Sequence, residues 1–280
     1  MKGFSQFFRY FRPYRITVLT GIAFIFASML FGLAGPWLIG RAVDDLLAGA
    51  TWNKIIYYSS GVLILNLISG VFLFWQRRLI INTSRHVEYD MRREYYEHLV
   101  NQPQTFFHAN RVGDLMARAT NDMAAVRQIM GPMILYSFQA IFALIVAVPI
   151  LLNISWKLTV LLLITMPFVS LTVKFLGQQI HIRFEKIQEF FSHITSKAQE
   201  NLSGVRVIRA YAQEEAEIAE FRELNHQYAR QNLNLVKYSA AMRPLLLFLI
   251  GIGFVIIFIV GIPMAVRGEI SAGDFAAFNL

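Results

Sequence analysis

The chain of 280 residues has no cysteine. Disulfides, thiolate zinc sites and Cys-ligated iron–sulfur clusters are therefore excluded. Charge is also scarce: 16% of residues are Asp, Glu, Lys or Arg, where soluble domains carry roughly a quarter. The long apolar runs contain no acidic residue, and no basic residue at mid-depth. That disfavours a proton relay or ion-coupled carrier and favours an apolar or amphipathic cargo. His86, His98, His108, His181, His193 and His226 include no i,i+4 pair, so the paired-histidine helix of a metal site is missing. No nucleophile stands beside a base in a recognisable pattern.

Apolar side chains are what the sequence has in excess. Hydrophobic residues make up 56%, and mean hydropathy is +0.47. The uncharged runs Ile16 to Gly40, Ile55 to Gln76, Gln128 to Trp156 and Pro244 to Val266 each reach the roughly 20 residues that cross a hydrocarbon core as helix. A shorter run, Leu158 to Val173, stops at Lys174, whose stem can snorkel, and the apolar pattern resumes at Phe175. The reading is an all-α membrane protein with spans near 16–40, 55–81, 128–153, 158–178 and 244–266. Residues 271–280 begin a sixth span that stops short. The first run is too long for a signal peptide and lacks its small-residue cleavage site.

Basic residues alternate between connections. The N-terminal segment holds Lys2, Arg9, Arg12 and Arg15 without an acid, and the second and fourth connections are rich in Arg and Lys. The first has only Arg41 and Lys54 against Asp44 and Asp45, and the third only Lys157. The positive-inside rule then puts the N-terminus and both long connections in the cytoplasm of a multi-pass plasma-membrane protein. The net charge of +8 is assigned to topology and anionic lipid rather than to nucleic acid. "MKGFSQFFRYFRPYR", residues 1–15, mixes rings and guanidinium groups as a helix lying in the interface does, and Pro13 marks the bend into the first span.

The second and fourth connections are too long and too poor in turn residues to be plain loops. Val87, Met91, Tyr95 and Leu99 recur at helical spacing, as do Ile180, Phe184, Ile187, Phe191 and Ile194. Some 25 residues of continued helix carry the chain roughly 35 Å beyond the bilayer. Each connection thus reads as a helical hairpin. At the first tip, Pro103 starts a short helix, Gly113 breaks the pattern, and Asp114, Arg118 and Asp122 form an i,i+4 ladder on the return. The second tip is a short helix over "RAYAQEEAEIAEF", with Gly204 as a weak point before it. Phe106 and Phe107, held far from lipid, call for a partner surface or for burial in their own hairpin.

"FFHANRVGDLMARATNDM", "ENLSGVRVIRAYAQEEAEIAEF" and "RGEISAGDFAAF", in this order around five spans, resemble the transmembrane domain of ATP-binding cassette (ABC) exporters with six long helices per half. The resemblance covers the chain from the interfacial helix to the start of the sixth span. It implies that Thr105, Phe106, Phe107 and His108 form a first coupling helix and Tyr211, Ala212, Gln213 and Glu214 a second, both docking on nucleotide-binding domains. It also implies a domain-exchanged dimer, either a homodimer or a pair with a homologous chain, and alternating access driven by ATP.

The sequence contains no G-x-x-x-x-G-K-[ST] phosphate loop, so ATP and Mg are expected in a nucleotide-binding domain absent from this chain, and the chain has no ATPase site of its own. Truncation within the sixth span is the expectation, with a separate ATPase subunit as the other arrangement. Candidate translocation-path residues are the polar groups inside spans: Asn66, Ser69, Ser137, Gln139, Thr165 and Ser170. Helix–helix hydrogen bonding is their other use. Export of hydrophobic or amphipathic drugs or lipids is the leading function. A non-transporting scaffold or sensor, signalling through its hairpins to a soluble partner, is the alternative.

Overall fold

The computed structural model describes residues 9–49 and 51–280. Most of the expected interfacial helix therefore lies outside the described residues. Residues 9–11 are helical, and the chain turns over 12–14. Then come α1 (Arg15–Leu47) and α2 (Trp52–Val100), a short α3 (Gln104–Ala109), and a return built from α4 (Val112–Ala117), a π-helical turn (Arg118–Asp122), α5 (Met123–Gln128), a second π-helical turn (Ile129–Met133) and α6 (Ile134–Ile154). The long α7 (Trp156–Ser203), the short α8 (Val205–Ala210), the long α9 (Glu214–Val266) and α10 (Ala272–Asn279) complete the order. Among the described residues, five helical stretches are long and apolar enough to cross a membrane. The chain divides into two compact units: residues up to Trp156 with Ile262–Leu280, and Lys157–Gly261.

In the first unit α1 and α2 pack most extensively, and Ile25, Ile80 and Leu135 form a core flanked by Phe138 and Phe142. Small residues let the backbones approach, as membrane helices require when water provides no hydrophobic drive between them. A methyl placed on Gly21 would come within 2.8 Å of Ile80, and one on Gly131 within 2.6 Å of the Ser84 hydroxyl. Polar groups supply a second fastening. The buried Ser28 hydroxyl lies 3.0 Å from Gln76 Oε1, and Ser69 donates to the Ser28 carbonyl at 2.9 Å. Glu88, with its side chain 10% exposed, gathers Arg85, Arg92 and, from α5, Arg127 at 3.5, 2.8 and 3.3 Å.

In the second unit α7 and α9 run antiparallel, joined through α8. Their register is marked by Lys197 with Glu217 and Glu220, Phe191 against Tyr228, Arg183 over the Tyr238 ring, and Thr165 beside Gly253. The periodic face of α7 is narrower than its spacing predicts. Ile187 and Ile194 are buried, but Phe184 and Phe191 are about half exposed. Within this unit α7 has one long neighbour, and a single neighbour needs only a narrow seam.

Three local expectations are corrected. The break after the first tip falls at Asn110 and Arg111, both extended, and Gly113 lies inside the first turn of α4. No ion pair joins Asp114, Arg118 and Asp122 among the described residues, because the π-helical turn at Arg118–Asp122 abolishes the i,i+4 stacking a ladder needs. The run from Gln128 is likewise no continuous α-helix, since the second π-helical turn carries Pro132, which has no N–H to give to the ladder.

Candidate coupling tips and translocation path

At the first tip the proline residue sets the geometry. Pro103 is extended, with φ −68° and ψ 157°, and its carbonyl accepts from Phe106 N at 3.0 Å, opening α3. Asn110 closes it: its backbone N–H and its side-chain amide both donate to the Phe106 carbonyl, each at 3.0 Å. Two turns cannot bury two neighbouring rings on one side. Phe106 is half-buried and Phe107 exposed, the rings meeting edge-to-face at 5.5 Å, with Thr105 and His108 exposed beside them. Tyr95 donates its hydroxyl to the Leu115 carbonyl at 3.1 Å, tying the return to α2.

The second tip differs from the sequence reading. The short helix is α8, which ends before the expected coupling residues: Tyr211, Ala212 and Gln213 form the turn, and Glu214 opens the long return. Two features move the helix back along the chain. Ala212 takes a left-handed φ of 52°, which no helix continues through, and Glu214, Glu215 and Glu217 occupy the first turn of α9, where carboxylates complement the helix dipole. The break at Gly204 is where the sequence put it, its N–H donating to the Glu200 carbonyl at 2.8 Å.

The tip is braced by charge and is apolar outside. Lys197 Nζ lies 2.9 Å from Glu217 and 2.8 Å from Glu220. The Glu220 and then the Glu217 carboxylate hold the ammonium well above the usual lysine range, and Lys197 in turn holds the Glu217 carboxyl below its usual range. The Glu217 contribution is lost only as pH falls through its lowered value, and that of Lys197 only as pH rises through its raised one. Between about pH 5 and 9 the brace is therefore complete. Lys197→Met is expected to speed amide exchange several-fold across Ser203–Glu214 throughout that window, measured by hydrogen–deuterium exchange. Unchanged exchange would show that the brace does not order the tip.

A groove of about 700 Å³ runs along this tip, with Leu202, Val205, Ile208, Ile218 and Phe221 among its lining residues. Leu202, Val207 and Tyr211 are 77%, 60% and 74% exposed. Sequence reading passed over Leu202, Val205 and Val207. Their alternation with Arg206 and Arg209 in "NLSGVRVIRAYA" was the signal available.

The six candidate path residues are not gathered by hydrogen bonding: among the described residues no such bond joins any two of them. Ser69 is engaged with α1, whereas Asn66 and Thr165 donate to carbonyls of their own helices, Val62 at 2.9 Å and Leu162 at 2.7 Å. Ser137 and Ser170 are exposed, and Gln139 is half-buried. The most buried polar groups among the described residues are others, Ser28, Gln76, Thr83, Ser84 and Thr159. Gln76 marked the end of an uncharged run, and only the packing of α1 on α2 shows it at an interface. His86 stacks on Tyr14 and His193 on Phe190, and no cluster of metal-binding side chains occurs among the described residues.

This all-α architecture, with helices long enough to cross a membrane and continue well beyond it, is that of an ABC exporter transmembrane domain. The chain belongs to the ABC transporter transmembrane region family, whose model matches residues 18–280. It is 30% identical, over 97% of its length and 47% of the relative's, to the probable multidrug resistance ABC transporter ATP-binding/permease protein YheI of Bacillus subtilis. It is 27% identical to the multidrug resistance-like ATP-binding protein MdlA of Escherichia coli, over 100% of this chain and 48% of that protein. The ATP-dependent lipid A-core flippase of Syntrophus aciditrophicus is 25% identical, over 99% of this chain and 46% of its own length. The chain spans about half the length of the curated relatives it matches.

Proposed function

We propose that this chain is the membrane-spanning half of an ATP-driven exporter that moves hydrophobic or amphipathic molecules out of the cytoplasm by alternating access. The observation that carries the reading is the pair of apolar tips. Phe107 at one and Leu202, Val207 and Tyr211 at the other stand exposed at the ends of helices far longer than a bilayer is thick. Such residues suit coupling contacts with a nucleotide-binding domain, which binds ATP and magnesium, since the sequence here has no phosphate loop. The second contact then centres on α8 and the turn at Tyr211–Gln213. The relatives' names, multidrug resistance proteins and a lipid A-core flippase, support an amphipathic cargo and an ATP-binding partner. A second transmembrane domain, identical or homologous, completes the pathway, with the N-terminus and both tips in the cytoplasm.

Inside-out vesicles containing the full-length protein are expected to accumulate an amphipathic fluorescent dye when given ATP, with vanadate abolishing uptake. Failure to accumulate any of a panel of lipid-like and drug-like dyes, while the protein hydrolyses ATP, would argue against export.

A further inference from the structure

Beyond the tips, the N-terminal segment lies against α1 and α6 around a groove of about 660 Å³, a size typical of small-molecule sites. Its walls are apolar, formed by Val18, Leu19 and Ile22 of α1 and Ile134 and Phe138 of α6. Its rim carries three guanidinium groups, Arg9, Arg12 and Arg15, and among the described residues no acid lines it. All three arginines are exposed, and none has an ion-pair partner among the described residues.

The tyrosines of the segment meet carboxylates of α2 that do not line the groove. Tyr10 donates its hydroxyl to Glu94 at 2.6 Å and Tyr14 to Asp90 at 2.8 Å. The hydrogen bond to Asp90, with burial, pushes the Tyr14 phenol up, and burial and Glu94 do the same for Tyr10, so both remain donors at physiological pH. The arginines line the groove, and Asp90 and Glu94 do not. Arg15 begins a helix long and apolar enough to cross a membrane, and in that setting the rim falls at headgroup depth with the apolar walls toward the acyl chains.

We propose that this groove binds one anionic phospholipid from the adjoining leaflet, its phosphate held by Arg9, Arg12 and Arg15 and a chain lying along Leu19, Ile22 and Phe138. Charge complementarity selects the headgroup, because three unpaired guanidinium groups are well matched to phosphate and poorly matched to a zwitterion. The apolar walls select a lipid over a free anion.

Native mass spectrometry of the purified full-length protein tests this with phosphatidylglycerol and phosphatidylcholine. The wild type is expected to retain one phosphatidylglycerol per chain after delipidation, and no phosphatidylcholine. The triple variant R9A/R12A/R15A should bind phosphatidylglycerol roughly a hundredfold more weakly, the effect of about three basic residues near an anionic surface. The corresponding triple lysine variant should keep most of the binding. Phe138→Trp, which fills the groove and leaves the arginines in place, should also displace the lipid. Three results would overturn the proposal: retention unchanged in the alanine triple, equal loss in the alanine and lysine triples, or displacement by glycerol phosphate alone at millimolar concentration, which marks a simple anion site. None of these readouts depends on transport or on ATP.

Discussion

Gly273→Val is expected to detach α10 from α1 and to lower the stability of the first unit by about 3 kcal/mol or more. The two backbones touch where Gly40 and Gly273 cross. A methyl on Gly273 would overlap the Gly40 carbonyl oxygen and come within 2.6 Å of the Asp44 carboxylate. One on Gly40 would sit 2.6 Å from the Gly273 carbonyl and 2.9 Å from Ala277 Cβ. These neighbours are backbone and a short, engaged side chain, which have little room to yield.

Asp44 is bound twice, accepting from the Gly273 N–H at 2.7 Å and from the Ser271 hydroxyl at 2.6 Å, while Ser271 caps α10 by accepting from Asp274 N at 2.8 Å. Separating the helices would break these charge-assisted bonds and relieve the clash at once. The measurement is thermal unfolding of detergent-solubilised protein, with Gly70→Ala as the control, since nothing lies within 4 Å of a methyl there. Equal melting temperatures for the two variants would rule out the close approach.

The second large effect concerns the first tip. In the full-length protein, F106A/F107A is expected to cut substrate-stimulated ATP hydrolysis by tenfold or more while leaving nucleotide binding and expression intact. Aromatic anchors at the centre of a contact typically cost about 2 kcal/mol or more when truncated, which is well over tenfold. Phe107 is 36% exposed, Phe106 is half-buried beside it, and neither is among the buried core residues. The fold has little to lose from the change. Stimulated hydrolysis at the wild-type rate would refute the coupling role, and loss of expression would instead assign both rings to the hairpin's own packing. Liposome ATPase assays over a panel of amphipathic substrates separate the two.

The breaks that flank the two tips were partly legible in the sequence. Pro103 at the first tip and Gly204 at the second are local backbone signals, and local signals survive folding because they act within a few residues. The position of the second short helix was not legible. Tyr211 to Glu217 contains good helix formers, and although a run of glutamates suits a helix N-terminus, nothing in the sequence says that Ala212 turns left-handed and ends the short helix before them. That choice follows from where Lys197 meets Glu217 and Glu220 across the hairpin. The polar residues inside the spans were visible as polar but not as partners. Ser69 meets Ser28, and Gln76 is buried, through contacts 41 and 48 residues apart in the chain.

Hydropathy, charge alternation and helical spacing, read from the sequence alone, determined an all-α membrane chain with long helices extending past the hydrocarbon core. Those properties follow from transfer free energies and backbone periodicity, which each segment has by itself. Tertiary structure decided which glycines face carbonyls, which serines fasten helices, and that Arg9, Arg12 and Arg15 rim an apolar groove while Tyr10 and Tyr14 bond Glu94 and Asp90. These depend on the register in which one helix meets another. Two segments distant in the chain set that register jointly, and no pattern within either one encodes it.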